Sequence, residues 1–214
     1  MYYGPFYYKL RKLSGNEIKQ LLISAFIIAL AFSFNEILSR NIYGVIAAAI
    51  AVILAFTFHE LLHRYAARKL GYYAKYQAWP TGLLLALLLS IVTLGRVVFA
   101  APGAVVVYPK LPFGLIDRRD YGKIAASGPL ANILLGYFAL FLILLIKYGI
   151  ISVTSYLLLL VLYYVRYINL WLAMFNLIPF PPLDGSKVFA WSKMVWLVFF
   201  AASAIPLFIL PYLL

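Results

Sequence analysis

Five stretches of this chain are apolar over the roughly 20 residues that a helix needs to cross a bilayer. They run from about Ile18 to Leu38, onward from Ile42, from Ile124 to Ile146, from Ser152 to Ile178, and from Phe189 to Leu214. No other feature limits the fold so strongly, because a backbone in lipid must satisfy its own hydrogen bonds and helices do so. Composition agrees: 66% of the 214 residues are hydrophobic, 11% are charged, and the mean hydropathy is +0.98. So little polar surface excludes an ordinary soluble domain. The expected class is an all-α integral membrane protein of about five to six transmembrane helices, multi-pass in the cell membrane. Cysteine is absent, so neither disulfides nor thiolate metal sites can form.

The segment WPTGLLLALLLSIVTLGRVVFAAPGAVVV, residues 79–107, is ambiguous. Its continuous apolar core, Leu83 to Leu94, is shorter than a crossing requires and points to a re-entrant segment. Its neighbours Tyr72–Trp79 and Arg96–Tyr108 are aromatic and β-branched, punctuated by Pro and Gly, and predict short β-strands. Loop charge supports the re-entrant reading. If 64–123 stays on the cytoplasmic side, fifteen of the eighteen Lys and Arg residues lie inside, with Arg40 and Lys147 outside and Arg166 within a span. A crossing at 79–101 would export Lys110, Arg118, Arg119 and Lys123, against the positive-inside rule. The basic N-terminal stretch has no small-residue cleavage pattern after it, so it reads as an uncleaved first span with its N-terminus inside. The net charge of +12 is then a property of cytoplasmic loops facing anionic headgroups, and no nucleic-acid partner is expected.

The second apolar run, VIAAAIAVILAFTF, leads directly into HELLH at 59–63, which contains both histidines of the chain. Residues four apart lie on one helical face, so His59 and His63 can share a metal ion. Glu60 between them is placed to act as general base on an attacking water. Ionisable groups are costly within a span and are usually functional there.

Catalytic zinc takes three protein ligands, and without Cys or a third His the remaining ligand must be Asp or Glu. Glu17, Glu36, Asp117 and Asp120 lie in polar or loop segments. Asp184 stands apart, because it follows a span in FNLIPFPPLDGSKV, where Pro179, Pro181 and Pro182 cannot continue a helix. Such a break can turn a carboxylate back into a polar cavity. With 64–123 held on one side, the ends of the second span and of 152–178 share that side as well, so all four residues can meet. On 152–178, Arg166, Asn169 and Asn176 fall within an arc of about 80° and could line a polar channel.

Three motifs together resemble the site-2 protease family of intramembrane zinc metalloproteases: HELLH at 59–63, SGPLANILLG at 127–136 and NLIPFPPLDG at 176–185. The resemblance covers a core of about 42–188, in the family's order. It implies zinc ligands His59, His63 and Asp184, one Zn²⁺ per chain, and Glu60 as catalytic base. Asn176 and Asn132 would position the substrate or stabilise the oxyanion. The implied activity is hydrolysis of a peptide bond within the transmembrane helix of a membrane-protein substrate, near the cytoplasmic side. On this reading residues 1–214 form a single membrane-embedded protease domain. An extra N-terminal span covers 18–38, a cytoplasmic-side re-entrant region 64–123, and a final span 189–214. A strand edge at AAPGAVVVY could capture an unwound substrate by β-addition.

Two other readings compete. A membrane zincin of another type would take its third ligand from a later Glu, but none follows Glu60. A non-proteolytic transporter or ion-binding protein could use the same His/Glu/Asp cluster, though the internal repeats common in transporters are not evident.

Overall fold

A computed structural model describes residues 13–98, 102–109 and 115–208. The basic residues Lys9, Arg11, Lys12 and Lys110, on which the charge argument partly rests, lie outside them. The elements in chain order are α1 (Gly15–Phe32), α2 (Phe34–Leu38), α3 (Ile42–Lys69), β1 (Tyr73–Ala78), α4 (Pro80–Val92), β2 (Gly103–Tyr108), α5 (Arg118–Lys147), α6 (Tyr156–Asn176), α7 (Asp184–Trp191) and α8 (Lys193–Phe208).

Local chemistry explains most helix starts. Ser14 Oγ accepts the Glu17 N–H at 3.1 Å, the first half of a capping box. Asn41 caps α3 through the Gly44 N–H, Asp117 caps α5 through Arg119 and Asp120, and Ser155 caps α6 through Leu158. The helix α6 stops at Asn176, three residues before Pro179. Pro129 does not stop α5; it lies inside that helix and is fully buried.

The centre of the molecule is the α3–α5–α6 group, whose members pack on one another more extensively than any other elements. A row of small residues makes this possible: Gly44, Ala47, Ala48, Ala51 and Ala55 are all buried on α3. Without a hydrophobic drive between helices in lipid, close backbone approach over small residues supplies the packing. The outward faces instead carry exposed Phe26, Leu134, Phe138 and Phe141, as lipid contact demands.

Four of the described helices, α1, α3, α5 and α6, are long and apolar enough to cross a membrane. The stretch 18–38 expected as one span is divided at Ser33 into α1 and the short α2. The stretch expected as a final span from 189 is divided at Ser192, so that α7 ends at Trp191 and α8 has 16 residues, with 209–214 outside the described residues. A fifth crossing therefore rests on α8, and the count of five to six is not reached among the described residues.

The expected strands are present and shorter than foreseen. They pair antiparallel with Ala78 opposite Gly103 and Tyr73 opposite Tyr108. The chain between them thus leaves the sheet and returns to the same place. Its outward leg, α4, has 13 residues and reaches about 20 Å, short of a hydrocarbon core of about 30 Å. Leu94 and Gly95, both at positive φ, reverse the chain after α4. Gly95 tolerates this cheaply and also leaves room for the Asn35 backbone against it.

Candidate metal centre

The helix α3 runs unbroken through the motif and ends six residues after His63, so the motif lies within the helix rather than at its end. His59 and His63 project from one face, as their spacing requires, and both are buried. Asp184 is the first residue of α7, brought against them because 177–183 folds back after α6. The Nε2 atoms of the two histidines are 3.0 Å apart, and Asp184 Oδ2 lies 3.2 Å from His59 Nε2 and 2.9 Å from His63 Nε2.

The far sides of the rings explain what those three atoms present. His59 Nδ1 donates to Asn132 Oδ1 at 2.6 Å, and His63 Nδ1 donates to the Ile124 carbonyl at 2.7 Å. Both acceptors can only accept, so each ring carries a proton on Nδ1, and a ring that ligates a metal would then do so through an Nε2 lone pair turned inward. Three acceptor-capable atoms at such separations need a proton or a metal cation among them. Ligand atoms bound tetrahedrally to zinc at about 2.0–2.2 Å are roughly 3.3–3.6 Å apart, a few tenths of an ångström more than the 2.9–3.2 Å found here. His59, His63 and Asp184 are also the one His/Asp/Glu group among the described residues with metal-ligand spacing. The donor set fits zinc, and three protein ligands leave a fourth position for water or substrate.

Gly128 shapes the floor of the centre. A Cβ there would lie 2.7 Å from His59 Nε2 and closer still to His63 Nε2, within the space that a metal would use. The imidazole pair is therefore compatible with no side chain at this position of α5. Asn132, one turn further on and fully buried, is held from behind. Its amide donates to the Ala55 carbonyl at 2.9 Å and to Asn169 Oδ1 at 3.0 Å, while Asn169 donates to the Val165 carbonyl at 2.8 Å. The chain Asn169–Asn132–His59 thus ties α6 and α5 to the face of α3 that carries both histidines.

Glu60, Asn176 and Lys187 join His59, His63 and Asp184 on the wall of one cavity of about 400 Å³, lined on its other side by residues 102–107 of the β2 segment. Glu60 is buried, and its Oε2 has no hydrogen-bond partner among the described residues. The Val105 backbone N–H of β2 lies beside the same carboxylate. Asn176 is half-buried and donates one amide hydrogen to the Leu172 carbonyl at 2.9 Å. Lys187 Nζ is 3.4 Å from Asp184 Oδ1, the oxygen turned away from the histidines, and 3.1 Å from the Pro182 carbonyl.

The expected residues therefore divide in two. His59, Glu60, His63, Asp184 and Asn176 share the cavity, while Asn132 lies behind His59 with both amide hydrogens engaged by protein. Of the three residues expected along a channel on α6, Asn176 lines the cavity, Asn169 is in the buried network, and Arg166 is buried away from it. Sequence reasoning did not identify Gly128 or Lys187. The i, i+4 spacing of Gly128 and Asn132 within SGPLAN, and the i, i+3 spacing of Asp184 and Lys187, were the available signals.

Compared with known proteins, the chain is 38% identical over 191 residues to a protein of Methanocaldococcus jannaschii named "Putative zinc metalloprotease". The alignment spans 87% of this chain and 90% of that protein. No family model matches the chain, and no solved structure does. Identity at this level, over nearly the whole of both chains, makes this chain a member of the same family as the Methanocaldococcus jannaschii protein.

Proposed function

We propose that this protein is a zinc metallopeptidase of the site-2 type, which hydrolyses a peptide bond within the transmembrane segment of a membrane protein near the cytoplasmic face. Metalloprotease activity as such is supported by the relative and by the His-His-Asp cluster. The observation that carries the finer reading is the meeting of His59, His63 and Asp184 beside the Glu60 carboxylate, inside a group of membrane-length helices. His63 is six residues from the end of α3, which is a depth of about 9 Å along the helix axis. The clustering of basic residues in 64–123 supports a cytoplasmic orientation.

In this reading His59, His63 and Asp184 hold one zinc ion. When bound, zinc acts as a Lewis acid that polarises the scissile carbonyl and acidifies water. Glu60 takes the proton of the attacking water and delivers it to the leaving nitrogen, the task for which a carboxylate on the cavity wall with one unpartnered oxygen is suited. Asn176, on the cavity wall, donates to the oxyanion that develops on the attacked carbonyl. Asn132 keeps the His59 ring in its working tautomer and orientation.

A transmembrane helix must be unwound before its amides are open to attack. The β2 edge, beside Glu60, offers backbone groups to receive the unwound segment as an added strand. The test is metal analysis combined with cleavage of a single-pass membrane substrate, using the parent protein, Glu60→Gln and Asp184→Asn. The reading expects zinc and cleavage in the first, zinc without cleavage in the second, and weakened zinc in the third. Ion flux in liposomes with no cleaved product would favour a transporter instead.

A further inference from the structure

The two edges of the strand pair are treated differently. Trp79 N–H donates to the Pro102 carbonyl at 2.9 Å, which makes 79 and 102 a hydrogen-bonded pair in the antiparallel register. Pairs alternate along such a ladder, so Ala78, Tyr76 and Ala74 of β1 turn their backbone groups outward. Their partners Gly103, Val105 and Val107 of β2 do the same on the opposite edge.

On β1, three of those outward groups are met by side chains of α1 and α3, whereas on β2 the outward Val105 N–H lies against the cavity-lining Glu60 carboxylate. The Tyr76 N–H donates to Glu17 Oε1 at 3.0 Å, the Ala78 N–H donates to Gln20 Oε1 at 2.9 Å, and the Ala74 carbonyl accepts from Arg68 at 3.1 Å. Glu17 and Gln20 are one turn apart on α1, matching two outward positions of a strand. Glu17 is buried and forms an ion pair with Arg64 at 2.8 Å, and Arg64 directly follows His63 on α3. The Tyr76 hydroxyl lies 2.9 Å from Ser24 Oγ, a third attachment to α1.

We propose that α1 acts as a surrogate third strand: Glu17 and Gln20 close the β1 edge, leave β2 as the edge that can accept a peptide, and hold it at a set distance from the metal-binding helix. Glu17 and Gln20 are then positioning residues, acting through the sheet and not on the reacting atoms. Edges left open invite indiscriminate pairing, and side-chain coverage is one way of preventing it. The ion pair from Glu17 to Arg64 registers the sheet against the turn of α3 that carries His63. This inference rests on the reading of β2 as the substrate-receiving edge.

Gln20→Leu is the informative variant, because it removes the acceptor of the Ala78 amide without uncovering a buried charge. Hydrogen–deuterium exchange of the 73–78 segment, zinc content, and kcat and KM on a single-pass substrate are measured on the whole protein. Losing one hydrogen bond should speed exchange of the Ala78 amide about tenfold. The same variant should raise KM about three- to tenfold, with kcat within about twofold and zinc unchanged. Gln20→Glu, which keeps an acceptor oxygen, should restore both readouts, and Glu17→Gln should likewise retain slow exchange at Tyr76. Unchanged exchange in Gln20→Leu overturns the proposal. So does faster exchange with an unchanged KM, or a fall in kcat accompanied by zinc loss. Exchange and zinc content are read without proteolysis. A parent protein that cleaves nothing therefore refutes the peptidase reading separately, while the exchange result still decides whether α1 closes the edge.

Discussion

Asn132 Oδ1 accepts the Nδ1 proton of His59 at 2.6 Å, and that single bond decides which nitrogen of His59 faces Asp184. The same asparagine is anchored on its other side to Ala55 and Asn169, so it cannot turn without leaving buried groups unpaired. Asn132→Ala should therefore weaken zinc affinity by about 10- to 100-fold, the usual cost of losing a partner behind a ligand. Competition against a metallochromic chelator measures this directly. Unaltered affinity would mean that His59 does not depend on Asn132 for its orientation.

Gly128 separates zinc binding from stability. Alanine favours a helix interior over glycine by about 1 kcal/mol, so Gly128→Ala should not destabilise α5 as a helix. Its added methyl group would nonetheless meet both imidazoles. The expected outcome is a folded protein that retains little zinc and no peptidase activity. Normal zinc content in this variant would show that the two rings sit further from α5 than described.

The β2 edge makes a prediction that depends on residue parity. Val105 turns its backbone outward toward Glu60, whereas Val106 pairs with Lys75 of β1. Proline at 105 removes an outward N–H and spares the β1 ladder. Val105→Pro should lower kcat/KM on a membrane substrate by about tenfold or more, with zinc content unchanged. Cleavage at the parental rate would remove β-addition at β2 from the mechanism.

The parts of this molecule that were legible in the sequence are those set by period and chemistry. The four-residue spacing of His59 and His63 needs only a helix to become a ligand pair. Asp184 was singled out because prolines must end α6 before it and because the positive-inside rule favours keeping 64–123 on one side. Where several arrangements have similar local preferences, the sequence was silent. Ser33 and Ser192 interrupt apolar runs that hydropathy alone leaves continuous. Asn132, Asn169 and Asn176 are chemically alike and all lie in or at the end of apolar helices, yet one holds a ring, one supports the holder, and one faces the cavity. Helix rotation and packing set those differences, through contacts such as Gly136 against Leu170 that only the assembled bundle defines.

The most direct test of the central claim is a paired measurement of bound zinc and substrate cleavage in purified Glu60→Gln protein. Glu60 lines the cavity and its Oε2 has no hydrogen-bond partner among the described residues, while the atoms with metal-ligand spacing belong to His59, His63 and Asp184. The account predicts zinc at the level of the parent protein, with cleavage of a single-pass membrane substrate reduced by a factor of about 10² or more. Parental cleavage by Glu60→Gln would contradict it.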